Sequence, residues 1–516
     1  MTSPDGPPSL TPSLTLTLTR ARLGAGGPLT ALRIEDGRIA AIGAIDAPAS
    51  DGTGPASGAD GPVLDLDGRT VLPGLWDAHV HLGQWASVRH RLDLAGLTSA
   101  RAVADAVRER DAVRERAAGS SGAEVLIGYG FRDGLWPDVP DKALLDAVCP
   151  ERPVALVSGD LHAAWLNSAG LALVGWAGHP TGLLREGDAF RAVSALPEVP
   201  GEVLDGWIAQ ACEAAAARGV SGVIDFHFAD NVTDWARRAA AGTPAVRVDA
   251  AVYPAYLDAA LAAGHRTGDA LPGTGGLVRV GPLKLFTDGS LNTRTALCHE
   301  PYPGLTGTAE AYGIEETSYD ELVRLMRRAA EHGLTPAVHA IGDRANALAL
   351  DAFAETACGG RIEHAQLLSA ADLPRFAALG VTAGVQPAHA LDDRDVADRH
   401  WAGRTGRAFP YGALLAAGAR LEFGSDAPVS PLDPWVGIAA AVHRTDDGRP
   451  AWHPEQRVPV RDALTASARG RGALRAGDPA DLVVVDVDPL KADAATLRRM
   501  PVHATMTGGR FTYGPV

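Results

Sequence analysis

Two histidines, His79 and His81, stand one residue apart in the apolar stretch VLPGLWDAHVHL, Val71 to Leu82. Alternate residues of a β-strand share a face, so in a strand both imidazoles would project to the same side. Neutral imidazoles are good ligands for Zn²⁺ and similar divalent cations. A lone HxH pair is a weak signal, because two ordinary histidines can have the same spacing. The pair therefore supports a metal site only together with other polar residues at strand ends.

Further polar side chains stand where other apolar runs meet polar turns. Lys284 lies in PLKLFTDGS, His339 in PAVHAIGD, His364 in RIEHAQ and Asp426 in LEFGSDAPV. Taken singly, each has a plainer interpretation: a solvated or salt-bridged lysine, a core histidine bonded to a backbone carbonyl, or a turn-capping aspartate. Buried together without a cation, these groups would each need a hydrogen-bond partner. Their joint occurrence at strand ends favours a metal site.

The middle of the chain, which must position these residues, alternates helical and strand patterns. RAVADAVRERDAVRERAAG, EVLDGWIAQACEAAAARG and YDELVRLMRRAAEHG are helical patterns that end near a glycine. Short β-rich runs such as AVRVDAAVY lie between helices and imply parallel βαβ units. The length suits an α/β fold with a TIM-like (β/α)8 barrel, whose strand ends form the active-site mouth. Because there are more than eight strand candidates, we expect one or two to lie outside the barrel.

Both ends of the chain have a β pattern. SLTLTLTRARL alternates apolar and polar residues, and TALRIEDGRIAAIG has an Asp36-Gly37 turn between two short apolar runs. GDPADLVVVDVDPL and HATMTGGRFTYG resume this pattern near the C-terminus. We therefore predict a small β-sandwich domain from residues 1-72 and, after the last helix, 463-516. Residues 73-462 would form the barrel with its insertions.

The composition limits the partners. The formal net charge of -15 argues against a broad nucleic-acid or anionic-membrane surface, although a local basic pocket is compatible with it. Four widely spaced cysteines without a CxxC pair indicate reduced thiols and a cytoplasmic location. The N-terminal stretch lacks a secretory pattern, and no apolar run is long enough to span a bilayer. We expect a small-molecule substrate and no nucleic-acid or membrane partner, with a homodimer left open.

With these residues in this order, the chain resembles the metal-dependent amidohydrolase superfamily over nearly its whole length. The superfamily has an HxH on the first barrel strand, a lysine on the fourth, histidines on the fifth and sixth, and an aspartate on the eighth. GYGFRDGLWP, LKLFTDGSLNTRTA, HAIGDRAN and FGSDAPVSPLDP are similar to the subgroup of N-substituted formamide deformylase. The chain departs from that subgroup in GFRD, where GWD is usual, and in a shortened stretch before the closing strands. The metal ligands that the resemblance implies are His79, His81, Lys284, His339, His364 and Asp426.

The resemblance also implies a divalent metal, with zinc as the first choice and one or two ions, and N-carboxylation of Lys284. An ammonium would be repelled by a dication, whereas a carbamate is an anionic oxygen ligand that forms on the neutral amine. If Lys284 stays an ammonium, Glu186 is an alternative carboxylate. The implied reaction is hydrolysis of a C–N bond in a linear amide or N-formyl compound. Alternatives are a cyclic amidase, esterase or deaminase on the same site, or an inactive barrel that binds a small molecule.

Three residues are candidates for catalytic work. Metal-activated water would attack the carbonyl carbon, and Asp426 is the expected general base that passes the proton to the leaving nitrogen. His162 could hydrogen-bond the substrate carbonyl. Asp343 could orient a metal ligand or anchor the substrate, or it could cap a turn and pair with Arg344.

Four further residues could bind substrate, each with a plainer alternative. Phe131 and Trp136 could line an apolar pocket or simply pack in a core. Arg294 could bind an anionic substrate group or hold its own loop. His389 could face the barrel mouth or be an ordinary loop histidine.

Overall fold

The computed structural model describes residues 15–43, 61–117, 125–131, 133, 136–158, 163–185, 187–197, 199–308 and 310–514. The strands of this part of the chain are β1 (Leu16–Leu23), β2 (Leu29–Glu35), β3 (Arg38–Gly43), β4 (Val63–Asp65), β5 (Thr70–Pro73), β6 (Leu75–Val80), β7 (Leu92–Asp93), β8 (Leu126–Phe131), β9 (Val154–Ser158), β10 (Ala163–Leu166), β11 (Leu183–Arg185), β12 (Val220–Asp225), β13 (Arg247–Val252), β14 (Val278–Phe286), β15 (Pro336–Ala340), β16 (Gly360–His364), β17 (Val381–Val385), β18 (Leu421–Phe423), β19 (Leu482–Val485), β20 (Val502–Thr507) and β21 (Arg510–Tyr513).

The helices of the same residues are α1 (Leu82–Arg89), α2 (Ala100–Ala117), α3 (Lys142–Asp146), α4 (Ser168–Leu173), α5 (Gly187–Ser194), α6 (Gly201–Ala216), α7 (Asn231–Ala241), α8 (Pro254–Ala262), α9 (Tyr319–Glu331), α10 (Asp343–Thr356), α11 (Leu373–Leu379), α12 (His389–Asp392), α13 (Arg394–His400), α14 (Tyr411–Ala416), α15 (Pro434–His443), α16 (Val460–Ala466) and α17 (Ala494–Arg498). None of these helices is long and apolar enough to cross a membrane.

A parallel barrel occupies the centre of the first compact unit, residues 1–82 and 209–516. Within the described residues its strands follow the order β6-β12-β13-β14-β15-β16-β17-β18, and a parallel bridge between Val80 and Ala427 nearly closes the ring. Every residue of β6 and β12 is buried, as expected for parallel strands covered on both faces. The predicted (β/α)8 barrel is confirmed.

A separate sheet is made from both chain ends, also as predicted. Its order is β21-β20-β19-β5-β1-β2-β3, with β4 beside β1. The antiparallel pair β5–β19, in which Pro73 faces Leu482, joins the two ends of the chain. Asp36 and Gly37 have φ values of 48° and 75°, so the predicted turn joins β2 to β3 with the backbone that tight hairpins favour. The bounds 1-72, 73-462 and 463-516 remain a prediction.

Residues 83–208 form a second compact unit with its own sheet, in the order β11-β10-β9-β8-β7. Two short β-rich runs of the sequence, AEVLIGYG and PVALVSGD, form β8 and β9 in this sheet, which explains why there are more than eight strand candidates. Their apolar runs resemble those of barrel strands, so the sequence could not assign them to a different sheet. Asn167 caps α4 by accepting a hydrogen bond from the Gly170 amide at 2.7 Å.

Candidate active site

All six residues predicted to hold a metal lie at the carboxyl ends of barrel strands. Parallel strands place these ends on one side of a barrel, so the fold brings together residues that are far apart in the chain. The six residues are His79 on β6, His81 just after it, Lys284 on β14, His339 on β15, His364 at the end of β16, and Asp426 after β18.

The tightest group consists of His79, His364 and Asp426, whose possible ligand atoms all lie within 4.8 Å of one another. All three side chains are buried. Asp426 Oδ1 lies 3.5 Å from His79 Nε2 and 3.3 Å from His81 Nε2. His339 is adjacent, with its ring centroid 4.5 Å from that of His364, but its Nε2 lies 3.1 Å from the Gly289 carbonyl oxygen. This group has the donor types and spacing to hold a divalent cation.

Two buried side chains orient the imidazoles. His79 Nδ1 lies 2.6 Å from Glu363 Oε2, and His364 Nδ1 lies 2.9 Å from Gln386 Oε1. Since both oxygens accept hydrogen bonds, each Nδ1 carries the proton and each Nε2 keeps its lone pair. His79 Nε2 and His81 Nδ1 are buried with no hydrogen-bond partner among the described residues. A cation would satisfy the lone pair of His79 Nε2, so the residues present fit a metal.

Lys284 ends inside the barrel without a polar partner. Its Nζ has no hydrogen bond to any described residue, and it lies 4.7 Å from the ring centroid of Phe226 and 5.1 Å from that of Phe286. Burial lowers the pKa of Lys284 to about 8, although Glu363 and Asp426 act to raise it. The lowered pKa favours the neutral amine, which is the form that can become carboxylated.

The backbone is strained at two of these residues. His364 has a φ of 76° and Asp426 a φ of 57°, both in the left-handed region that costs ordinary residues roughly 1–3 kcal/mol. The Asp426 amide donates to the His79 carbonyl at 2.7 Å, which fixes the aspartate beside the first strand. Burial acts to raise the pKa of Asp426, but His79, His81 and His364 hold it well below its usual value. Asp426 is therefore an ionised carboxylate.

A buried ion-pair network continues inward from His79, and the sequence did not reveal it. Glu363 pairs with Arg361, and Arg361 Nη1 donates to Glu422 Oε2 at 2.7 Å. Burial opposes the charge of Glu363, yet Arg361 and His79 lower its pKa to about 2. The available signal was the alternation of Arg361 and Glu363 in RIEHAQ, which puts two charges on one face of a buried strand.

Aromatic rings beside the cluster were also missed. Phe228 stacks on His81, with centroids 5.1 Å apart, and its side chain is 56% exposed. Its ring lies 5.2 Å from Tyr253 and 6.1 Å from Phe286, and Phe286 lies 5.3 Å from His339. The three rings give the site one apolar side. Phe228 lies in IDFHFADNV, just after the end of β12, where no local pattern distinguishes an exposed aromatic ring from a packed one.

Of the predicted substrate contacts His389 and Arg294, the first is buried beside the cluster and the second is half-buried. The ring of His389 is stacked 6.5 Å from that of His364 and is buried, with Nε2 unpaired among the described residues. Arg294 is half-buried, and its guanidinium makes no hydrogen bond within the described part of the chain. The described residues therefore show no hydrogen bond through which the Arg294 side chain would hold its own loop. Substrate contact by either residue remains a prediction.

Asp343 holds two other segments in place. Its Oδ1 accepts from the His299 amide at 2.9 Å and its Oδ2 from Arg407 Nη1 at 3.0 Å. The considered pairing with Arg344 is therefore wrong, because the carboxylate points toward a different arginine. A catalytic role for Asp343 remains a prediction.

Phe131 and Trp136, the aromatic residues predicted to contact substrate, belong to the second unit. Phe131 is fully buried in its apolar core, with its centroid 5.8 Å from Trp136 and 6.5 Å from Trp165. Trp136 Nε1 donates to the Leu97 carbonyl at 3.1 Å. These contacts are packing contacts, and substrate binding by Phe131 or Trp136 remains a prediction. His162, Glu186 and the arginine of GFRD lie outside the described residues.

Comparisons with known proteins agree with this geometry. The YtcJ protein of Bacillus subtilis (strain 168) is 29% identical over 95% of this chain and 97% of its own. N-substituted formamide deformylase of Arthrobacter pascens is 27% identical over 94% of both chains. The crystal structure of an uncharacterized metal-dependent hydrolase from Pyrococcus furiosus has 27% identity and a TM-score of 0.75, over 92% of this chain and all of that one. Residues 62–513 match the amidohydrolase family. With that match over most of its length, the chain belongs to the amidohydrolase family and is a hydrolase.

Proposed function

We propose that this protein is a metal-dependent hydrolase of carbon–nitrogen bonds other than peptide bonds, acting on a linear amide or an N-formyl compound. The observation that carries the proposal is the buried group of His79, His364 and Asp426, with ligand atoms within 4.8 Å of one another. The similarity to N-substituted formamide deformylase supports the substrate class.

The donor set suits zinc, as one ion or two. Imidazole nitrogens and a carboxylate are its usual ligands, and they would come from His79, His81, His339, His364 and Asp426. A cation held there supplies Lewis acidity, which activates water at neutral pH and polarises a carbonyl group.

We propose that Lys284 is carboxylated. Its amine is buried with no hydrogen-bond partner among the described residues, which is a costly position for an ammonium ion even though the rings of Phe226 and Phe286 attract a cation. Reaction of the neutral amine with CO2 forms an N–C bond, releases one proton and leaves an anionic carbamate. The carbamate adds an oxygen ligand where a positive charge would repel the metal.

Other residues of the site would transfer protons, orient the metal ligands and contact the substrate. Asp426, held ionised next to His79 and His81, accepts the proton of the attacking water and delivers it to the leaving nitrogen. Glu363 and Gln386 hold His79 and His364 in the required tautomer. The exposed ring of Phe228 offers an apolar surface to the substituent on the amide.

A hydrolysis screen on metal-loaded enzyme tests this proposal. N-formyl and linear N-acyl amines should be turned over faster than cyclic amides, esters or amino-heterocycles. Asp426→Asn should abolish turnover, whereas Asp258→Asn, an exposed aspartate, should not. Preference for a cyclic amide, an ester or an amino-heterocycle would favour an alternative on the same site. Inactivity on every class by a protein that retains its metal would favour a binding barrel.

We also propose a cytoplasmic location and a small-molecule substrate. All four cysteines are free thiols, which is the usual state in a reducing compartment. A homodimer remains a prediction that measurement of the mass in solution would test.

A further inference from the structure

A second cleft opens at the opposite end of the barrel strands from the histidines. It has a volume of about 820 Å³, within the range of small-molecule sites. Trp76, Arg247 and Arg279 line it from the amino ends of β6, β13 and β14. Arg38 and Arg510 line it from the sheet made by the chain ends. Barrel and terminal sheet together therefore form its walls.

The cleft has an excess of positive charge in an acidic protein. Among the described residues seven arginines line it, and four of them pair with carboxylates, which leaves three without one, whereas the whole chain has a formal net charge of -15. The chain has more acidic than basic residues, so its composition does not account for this local group of arginines. The field in this cleft therefore attracts anions locally.

Three of these arginines have no carboxylate partner among the residues that the structure describes. Within the described part of the chain, the side chains of Arg38 and Arg510 each donate one hydrogen bond, from Arg38 Nη1 to the Gly477 carbonyl and from Arg510 Nη2 to the Pro244 carbonyl, both at 2.9 Å. Arg279 is exposed, and its guanidinium makes no hydrogen bond to any described residue. No carboxylate of the described residues lies within ion-pair distance of these three groups. Their remaining N–H donors are free for a ligand.

Other arginines of the cleft are held rigidly and form its frame. Arg247 binds both oxygens of Asp481, at 2.8 and 3.0 Å. Arg469 pairs with Asp249, and its guanidinium lies 4.6 Å from the ring centroid of Trp76. A rigid frame lowers the cost of ordering the site when a ligand binds.

We propose that this cleft binds a small anion carrying a phosphate group, either free phosphate or a phosphate ester. The planar fork of arginine matches phosphate oxygens with two parallel hydrogen bonds, and several unpaired forks around one cleft suit a multiply charged group. A long polyanion fits less well, because the chain as a whole would repel it. The site is distinct from the candidate active site, which lies at the carboxyl ends of the same strands.

Isothermal titration with inorganic phosphate, and separately with glycerol 3-phosphate, tests the proposal. Wild-type protein should bind at least one of them, and the triple variant Arg38→Gln, Arg279→Gln, Arg510→Gln should bind it about tenfold or more weakly. Tighter binding of the ester or of free phosphate identifies the source. Arg101→Gln, which removes an exposed arginine of the second unit, is the control for loss of a surface charge elsewhere and should bind normally.

The same titration on His79→Ala separates the two sites. Binding that persists in His79→Ala and falls in the triple variant supports the basic cleft. Absence of binding to wild type, binding unchanged in the triple variant, or binding lost only in His79→Ala would overturn the proposal.

A chemical test does not depend on the folding of variants. Phenylglyoxal should modify Arg279 in wild-type protein, and bound phosphate should protect it, as read by peptide mass spectrometry. Modification of Arg101 should be the same with and without phosphate. Equal modification of Arg279 under both conditions would contradict the proposal.

Discussion

The contact between Glu363 and His79 makes the change Glu363→Gln informative. Glu363 is fully buried, and its Oε2 lies 2.6 Å from His79 Nδ1. Glutamine preserves the shape but removes the negative charge, and its amide group can also present a donor to Nδ1. The imidazole would then become a weaker ligand held less firmly in the required tautomer. We expect metal affinity to fall by about 10- to 100-fold, or roughly 1.4–2.7 kcal/mol.

The same change should also lower stability. Arg361 loses one of its two carboxylate partners inside the barrel, and breaking a buried pair costs about 3–5 kcal/mol when the other charge is left alone. Arg361 keeps Glu422 at 2.7 Å and the Ala78 carbonyl at 3.1 Å, so the loss in free energy of unfolding should be smaller than that range. The change in metal affinity can therefore be measured on folded protein.

Glu422→Gln is the matched control. It removes the other carboxylate that pairs with Arg361, and Glu422 does not contact His79. The change should therefore lower stability and leave metal affinity unchanged. Affinity is measured by competition with a chromophoric chelator, and stability by urea unfolding of the metal-free proteins. Equal metal affinity in Glu363→Gln and wild type, or an equal loss of affinity in both variants, would refute the reasoning.

Three further changes test the remaining parts of the site. Asp426→Asn should retain much of the metal but lose turnover by about 100-fold or more, since it removes the proton acceptor; near-normal steady-state activity would remove it as the base. Lys284→Ala should lose metal or activity, with partial rescue by added short carboxylates, and an unaffected enzyme would exclude the carbamate. Phe228→Ala should raise KM for amides with an aromatic substituent by about two- to tenfold and change kcat little, because stacking is worth about 0.5–1.5 kcal/mol. An unchanged KM would show that its exposed ring does not contact substrate.

The sequence predicted the features that repeat along the chain. Helical and strand patterns alternate, so a parallel barrel follows, and a polar residue at the carboxyl end of a strand must face its mouth. For that reason His79, Lys284, His339, His364 and Asp426 could be placed at one end of the fold from local patterns alone. The Asp36-Gly37 hairpin was equally local.

Contacts across the barrel could not be predicted in this way. His79 and Glu363 are 284 positions apart, and no local pattern tells which charge lies opposite which imidazole. Phe228 follows a strand, where an aromatic residue is more often packed than exposed. The second unit was hidden because β8 and β9 have the same apolar runs as barrel strands.

Metal analysis of purified protein tests the central claim most directly. Wild type should contain about one or two equivalents of a divalent metal, and the double variant His79→Ala, His81→Ala should contain almost none while keeping the circular dichroism of the wild type. Wild-type protein that binds no metal, or a double variant that binds as much as wild type, would contradict the account.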